Sequence, residues 1–440
     1  MKKNVLITLA VFAFSMLLYT GSYAQQKTDA IKDKDDDNDF YVNNFRGKAG
    51  EWDAVIKNDR IHIEFAGRSW NSGRRFLLSE FTALPTGTAG TFKLQREAGT
   101  IVFSGLFNNN KGEGTYKFEE NPDFKTFLAG QGFTNIKEEL MLNIFFTDIN
   151  KAYFDYLKTN GYTGLTMNQF RDLAQQNINR KVLEEYFNLF AKQNYGKVSI
   201  DKIVELCEHG VDVEFVNSFS EGGYKSVSLD QALTLRDHGV DMDFIKDFKV
   251  KDMTLEQATD LRDHGVDPEY MNSLTSLGWK DMSLESAIDL RDHGVSVSFV
   301  KEIMAAGYKD ISPEKAMNLV DHGVSASYIK ELNDLGWKNI SLETTEDLRN
   351  HGVNTSFIKE LQALGYKDLN ADKAIELRDH GVSASFINGF KSVGFADITL
   401  DKAQELHDHG VTADYIKKMK QKGLNNLSLD EYQKLKDAGM

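Results

Sequence analysis

The sequence contains a single cysteine, Cys207, so an intrachain disulfide and a cysteine-based zinc cluster are both excluded. Positive charge is also in short supply. Lys and Arg number 52 against 66 Asp and Glu, for a net charge of −14. Nonspecific nucleic-acid binding rests on cations that neutralise phosphates, and a polybasic membrane patch needs the same excess, so both classes are set aside. Familiar catalytic signatures are missing too. There is no His-Glu-x-x-His helix, no Gly-x-Ser-x-Gly turn and no Gly-Lys-Ser/Thr phosphate loop. The residues therefore point to no enzyme, no metal site and no cofactor. Proline is scarce, at 4, while glycine is common, at 34, and the placing of those glycines carries the architecture. With 41% apolar and 27% charged residues, the chain reads as folded and soluble.

The one long apolar run is N-terminal. Lys2 and Lys3 precede Val5 to Tyr19, and Ser22 and Ala24 supply the small residues of a cleavage site before Gln25. This pattern predicts a secretory leader over 1–24, cleaved after Ala24. The run is shorter than the roughly 20 residues a membrane span needs. The expected product is exported to a bacterial periplasm or exterior, without stable membrane insertion. Residues 25–48 read as an acidic linker. Asp33 to Asp39 alternates acids as calcium loops do, but it lacks the central glycine and the distal glutamate of such a loop.

Period-two alternation begins near residue 49 and runs to 120. Ile61, Ile63 and Phe65 alternate with His62 and Glu64; Phe92 and Leu94 alternate with Lys93 and Gln95. Turn signals at Asn58-Asp59, Ala98-Gly99 and Asn108 to Gly112 separate the runs. The prediction is a small antiparallel β-meander of about six strands with one buried face. Trp52 and Trp70 in this module suit either sugar stacking or core packing, and core packing is the favoured reading.

From 121 to 440 the chain repeats itself. His-Gly-Val recurs, usually after Asp, with its histidines at His209, His238, His264, His293, His322, His351, His380 and His409. The spacings are 29, 26 and then five of 29. A fixed period of this size signals stacked supersecondary units. The repeat at Ser283 shows the grammar. Ser283 caps a first helix, Leu284, Ala287, Ile288 and Leu290 form its apolar stripe, and His293-Gly294-Val295 form a Schellman ending. Ser296 caps a second helix with Phe299, Val300 and Ile303 inside, and Gly307 ends it. Pro268 and Pro313 fall at first helical positions, where proline is tolerated. The fold class expected is mainly α: a solenoid of about ten two-helix A–B pairs, preceded by the β module. Four additional residues within Val182–Tyr195 predict a longer helix, and the gap of 26 predicts a short one.

Two recurring polar columns are candidates for function. One histidine per repeat forms a row too widely spaced for four donors to meet on one metal ion. A helix C-cap role is expected for all eight, with the imidazole on the last carbonyls of its own helix. Arg236, Arg262, Arg291 and Arg378 precede Asp in the same motif and either hold neighbouring repeats in register or line a groove for a partner. Cys207 takes the arginine slot in its repeat and is expected to be partly exposed.

The run Gly112-Glu113-Gly114-Thr115-Tyr116-Lys117-Phe118, leading to Asn121-Pro122-Asp123-Phe124, and repeats such as Leu377 to Ile387 resemble the extracytoplasmic C-terminal region of some bacterial BlaR/MecR-type antirepressor membrane peptidases. The resemblance covers about residue 50 to the end. It lacks that family's membrane segments and zinc-peptidase motif, so it implies a free-standing sensor-like or scaffold module, without the peptidase activity. Three functions remain open from the residues. The first is a non-enzymatic scaffold that binds a protein or peptide along the repeats. The second is an envelope sensor or glycan-binding module centred on Trp52 and Trp70. The third is an enzyme at the junction of module and first repeats, near Glu119, Glu120 and Asp123.

Overall fold

The structure is a computed structural model that describes residues 47–67, 70–280 and 282–440. The expected leader, and the acidic linker apart from its last two residues, lie outside the described residues. The chain divides into two compact units, one ending at Leu233 and the other beginning at Thr234.

The first unit opens with six antiparallel strands: β1 (Ala49–Lys57), β2 (Arg60–Gly67), β3 (Trp70–Leu77), β4 (Gly90–Arg96), β5 (Gly99–Asn108) and β6 (Lys111–Glu120). Their spatial order is β3-β2-β1-β6-β5-β4. The alternation seen in the sequence is the inside/outside parity of this sheet. Trp52, Ile61, Ile63, Phe65, Phe92, Leu94, Phe103 and Phe118 are buried, while Glu51, Asp53, Glu64, Lys93 and Lys117 are exposed. Asn58 and Asn109 take left-handed φ of 58° and 56°, which asparagine tolerates in two-residue hairpin turns.

The order refines the simple meander. Two three-stranded meanders are joined by pairing of the first strand with the last. Alternation reports which face a residue occupies and says nothing about which strands are neighbours. The segment after β3 carries Phe81 across the apolar face, where it meets Phe76, Phe92 and Phe103 at 5.6–5.9 Å between ring centroids.

The helix Glu138–Thr147 covers the same face. Its Phe145 meets Phe118 at 5.2 Å and its Phe146 meets Phe65 at 5.2 Å. Residues 140–147 are continuously buried because this helix lies between the sheet and the helix Met167–Gln175. Arg96 of β4 fastens the layers. Its Nη1 donates to the carbonyls of Phe145 and Phe146 at 2.8 and 2.9 Å, and its Nη2 pairs with Glu80 at 2.9 Å. A guanidinium on the last carbonyls of a helix also complements the negative end of the helix dipole.

Among the described residues there are 22 α-helices, and from Glu138–Thr147 to Ala413–Gln421 they alternate as ten A–B pairs. Pro122–Gly130 precedes the pairs and Leu429–Asp437 follows them. The repeat grammar holds at atomic level. Ser283 accepts from the Ser286 amide, and Ser296 accepts from the Phe299 amide. Gly294 sits at φ 72°, its amide donates to Arg291 at 2.9 Å, and the Val295 amide donates to Leu290 at 2.9 Å. Those two bonds are the Schellman pair. Pro268 and Pro313 begin their helices. The helix with the added residues, Arg180–Gln193, has 14 residues, and the one beside the short spacing, Met242–Asp247, has 6. None of the described helices is long and apolar enough to cross a membrane.

Candidate interaction surface on the helical repeats

The two tryptophans do not form a platform. Trp52 is 1% exposed, with Phe92, Phe103 and Phe107 around it at 5.3–5.8 Å. Trp70 is half-buried at the start of β3, its indole lying against Gly67. Two of the carboxylates at the junction are paired with lysines. Glu119 pairs with Lys117 at 3.1 Å and Glu120 with Lys125 at 2.9 Å. Cys207, expected to be partly exposed, is 8% exposed, and its thiol is pushed up to about 12 by burial. The arginine slot holds an apolar side chain there, so the neighbouring side chains close over it. The thiol donates to the Tyr186 hydroxyl at 3.5 Å, which in turn donates to the Val211 carbonyl at 2.6 Å.

The arginines are turned onto the preceding repeat. Arg262 donates to the Gly239 carbonyl from Nε and Nη2, at 3.0 and 2.8 Å, and lies 4.4 Å from the Phe244 ring. Arg378 donates to the Gly352 carbonyl at 3.1 Å and covers Phe357 at 5.2 Å. Arg291 and Arg349 cover Tyr270 and Tyr328 at 4.7 and 4.9 Å. Arg236 occupies the same slot of Leu229–Asp237. Such an arginine satisfies the carbonyl left over at a left-handed helix end and stacks on the next aromatic ring, so it sets register between repeats.

Tyrosine hydroxyls add a second latch. Tyr153, Tyr270 and Tyr328 each donate to a carbonyl 25 residues on, at 2.9, 2.8 and 2.6 Å. Burial raises the Tyr328 phenol to about 12, so this donor is protonated at neutral pH. Tyr328→Phe is expected to cost ~1 kcal/mol, the net worth of one buried hydrogen bond, because the Val353 carbonyl loses its partner. Urea unfolding of the variant checks this.

The histidines sit where the sequence places them, at helix ends, and His209, His264, His293, His322, His351, His380 and His409 are C-cap residues. His238 follows the last residue of its own A helix in the same way. Their side chains differ from the expectation. In place of their own helix carbonyls they engage the aspartate that ends the next A helix. The Nδ1–carboxylate distances are 2.6 Å for His238–Asp263, 2.7 Å for His264–Asp292 and 2.9 Å for His293–Asp321. They are 2.6 Å for His351–Asp379, 2.9 Å for His380–Asp408 and 2.9 Å for His409–Asp437. The aspartate that precedes His264, His293, His322, His380 and His409 is thus the partner of the previous histidine. At His322 the corresponding residue is Asn350.

Lysines complete the pattern. Lys315 reaches Glu343 and Glu346 at 3.2 and 2.9 Å, while Lys373 and Lys402 reach Asp401 and Asp430 of the next A helix. No protein-family model matches the chain, and no curated protein matches it. The geometry therefore stands alone, and it has one consistent bias. Arg262 and Arg378 of the A helices spend their donors on backbone carbonyls of the neighbouring repeat and neutralise no carboxylate there, while several acidic side chains of the row face outward. Glu256, Glu285 and Glu314 at second helical positions are exposed, and so are Asp260, Asp289 and Asp347 one turn later. Among the described residues no group of three or more metal-binding side chains gathers.

Proposed function

We propose that this chain is an exported, non-enzymatic repeat scaffold whose A-helix row binds a basic segment of a protein or peptide partner. The observation that carries the reading is the asymmetry just described. Arginines are engaged with carbonyls and aromatic rings of the preceding repeat, and carboxylates such as Asp260, Asp289 and Asp347 remain exposed, so the row offers carboxylates to a partner. A regular row of carboxylates on a stack of short, capped helices attracts a cationic chain along its length and gives it successive contacts. The likeness to the extracytoplasmic part of BlaR/MecR-type proteins belongs to the same proposal, as a sensor-like module working apart from a peptidase. With Trp52 buried in the sheet core, the alternative of a glycan site rests on Trp70 alone.

Two experiments test it. In-cell crosslinking of the tagged, exported protein should capture one dominant partner, with links from its Lys/Arg-rich segment to the A helices. A labelled Lys/Arg-rich peptide should bind the purified chain more tightly at low salt. The combined Asp260→Asn, Asp289→Asn, Asp347→Asn variant should weaken that binding about tenfold, since three exposed pairs at ~0.5 kcal/mol each sum to that factor. Crosslinks confined to other surfaces, or peptide affinity indifferent to both salt and the three substitutions, would sink the reading.

A further inference from the structure

We propose that the histidine–aspartate row is a pH-responsive clamp that tightens the repeat stack in mildly acidic conditions and relaxes it in alkaline ones. The geometry is an interface. Six imidazoles of the second unit each place Nδ1 within 2.6–2.9 Å of a carboxylate on the neighbouring A helix, so every such contact joins two A helices that no peptide turn joins directly. Neutral imidazole donates one hydrogen bond there; imidazolium adds a full charge to the same bond.

The surroundings of His264 and His293 favour the proton from most sides. His264 has Asp260 and Asp263 on its own helix and Asp292 across the interface. His293 has Asp289 and Asp292 behind it and Asp321 in front. The B helix that follows carries Glu269 in its first turn after His264 and no acidic residue there after His293. One cation opposes. The Arg291 guanidinium lies against Gly265, next to His264, whereas beside His293 the same slot holds Val320. The hydrogen bond that His264 donates to the Asp292 carboxylate leads the causes that raise it, and the one His293 donates to Asp321 leads for His293.

The sign follows from linkage. A histidine whose folded-state value lies above its ordinary 6.5 adds stability that is fully present below 6.5 and is lost as pH rises through the folded-state value. His264 and His293 therefore stabilise their interfaces at about pH 6 and contribute least at about pH 8. Carboxylates held below their ordinary values, such as Glu376 beside Lys373, act in a separate window below 4.5. The chain also carries its own interruption. At His322 the facing residue is Asn350, and Arg349 lies against Gly323, so this interface lacks the charged pair while keeping the fold.

The test uses thermal unfolding of the full chain at about pH 6 and about pH 8. The unmodified protein should melt higher at pH 6, by on the order of 3 °C. Changing Asp292, Asp321 and Asp379 to Asn keeps an oxygen that accepts from neutral imidazole and removes the charge, and it should erase most of the difference. Asn350→Asp supplies the missing carboxylate and should raise the melting temperature more at pH 6 than at pH 8. Proton NMR of the imidazoles should show His264 and His293 titrating above 6.5 and moving down in the triple variant. A triple variant that keeps the whole pH difference would overturn the proposal. So would an Asn350→Asp shift equal at both pH values, which remains readable if the triple variant fails to fold.

Discussion

Trp52→Ala is expected to destabilise the sheet unit by ~3–5 kcal/mol, near the top of the range for a single core truncation. The reason lies in one row of the sheet. Trp52 of β1 pairs with Gly114 of β6, and Gly114 pairs with Gly105 of β5. A side chain on Gly114 would lie 2.0 Å from the Ser104 carbonyl oxygen, and one on Gly105 would lie 2.8 Å from the Trp52 indole. Gly105 thus leaves a hollow that the indole fills, while Gly114 allows the close approach of the β5 backbone, and the indole Nε1 donates to the Thr115 carbonyl at 3.1 Å. Alanine at 52 empties the hollow, and no neighbour reaches in, because Phe92 and Phe103 are already stacked on each other at 4.6 Å. Guanidinium unfolding followed by far-UV circular dichroism measures the loss, and hydrogen exchange should place it in β1, β5 and β6. A cost below about 1 kcal/mol would mean that the hollow at Gly105 does not depend on the indole.

The repeats are far more legible in the sequence than the sheet, for a physical reason. A helix of 9 residues, such as Leu284–Asp292, must stop, and each stop has a chemical marker: an oxygen-bearing cap, a glycine in the left-handed region and a hydrophobic residue after it. Repetition at 29 residues multiplies these markers until the frame is unambiguous. Strand order has no such marker, since pairing of β1 with β6 leaves parity unchanged. The histidine–aspartate contact is legible in principle. Asp precedes almost every His, so a bond from one repeat to the next reuses the same dipeptide along the row, and the signal is a spacing of 28. It is easily mistaken for capping because the backbone of His293 does end its helix. At Cys207, slot position alone does not set exposure, because a small apolar side chain draws its neighbours inward. The two-sided burial of Glu138–Thr147 is visible as an unbroken apolar run from Leu140, interrupted only at Asn143.

This separation between local grammar and long-range pairing bears on how the repeats carry load. Three kinds of link recur between neighbouring repeats: arginine on a glycine carbonyl, tyrosine on a valine carbonyl, and imidazole on a carboxylate. Each is modest, and the exposed ones contribute on the order of 1 kcal/mol or less. The apolar columns beneath them contribute more to stability. In the second unit Leu332, Leu348, Ile358, Leu361, Leu377 and Leu406 belong to one continuous core. The polar links then act mainly on register, since a repeat displaced along its neighbour would leave several of them unmade together.

Leu377→Ala puts that division to the test. Leu377 is 0% exposed in the A helix Ala371–Asp379, and its carbonyl accepts from the Val382 amide at 2.8 Å beyond Gly381. Truncation removes the packing of Leu377 against the helix ending and against the adjoining repeat, at an expected cost of ~2–5 kcal/mol. In a stack whose stability adds up from individual repeats and the contacts between nearest neighbours, the loss stays local until it exceeds the coupling to the next repeat. Hydrogen exchange should therefore show protection falling by about two orders of magnitude or more from Thr355–Ala363 to Leu400–Asp408, at about 1.4 kcal/mol per factor of ten. Protection in Leu284–Asp292 should change by less than about tenfold. Urea unfolding should broaden as the weakened repeats open first. An equal loss across every helix of the second unit would instead mean that its repeats unfold as one cooperative body, with coupling between neighbours stronger than the packing within any one of them.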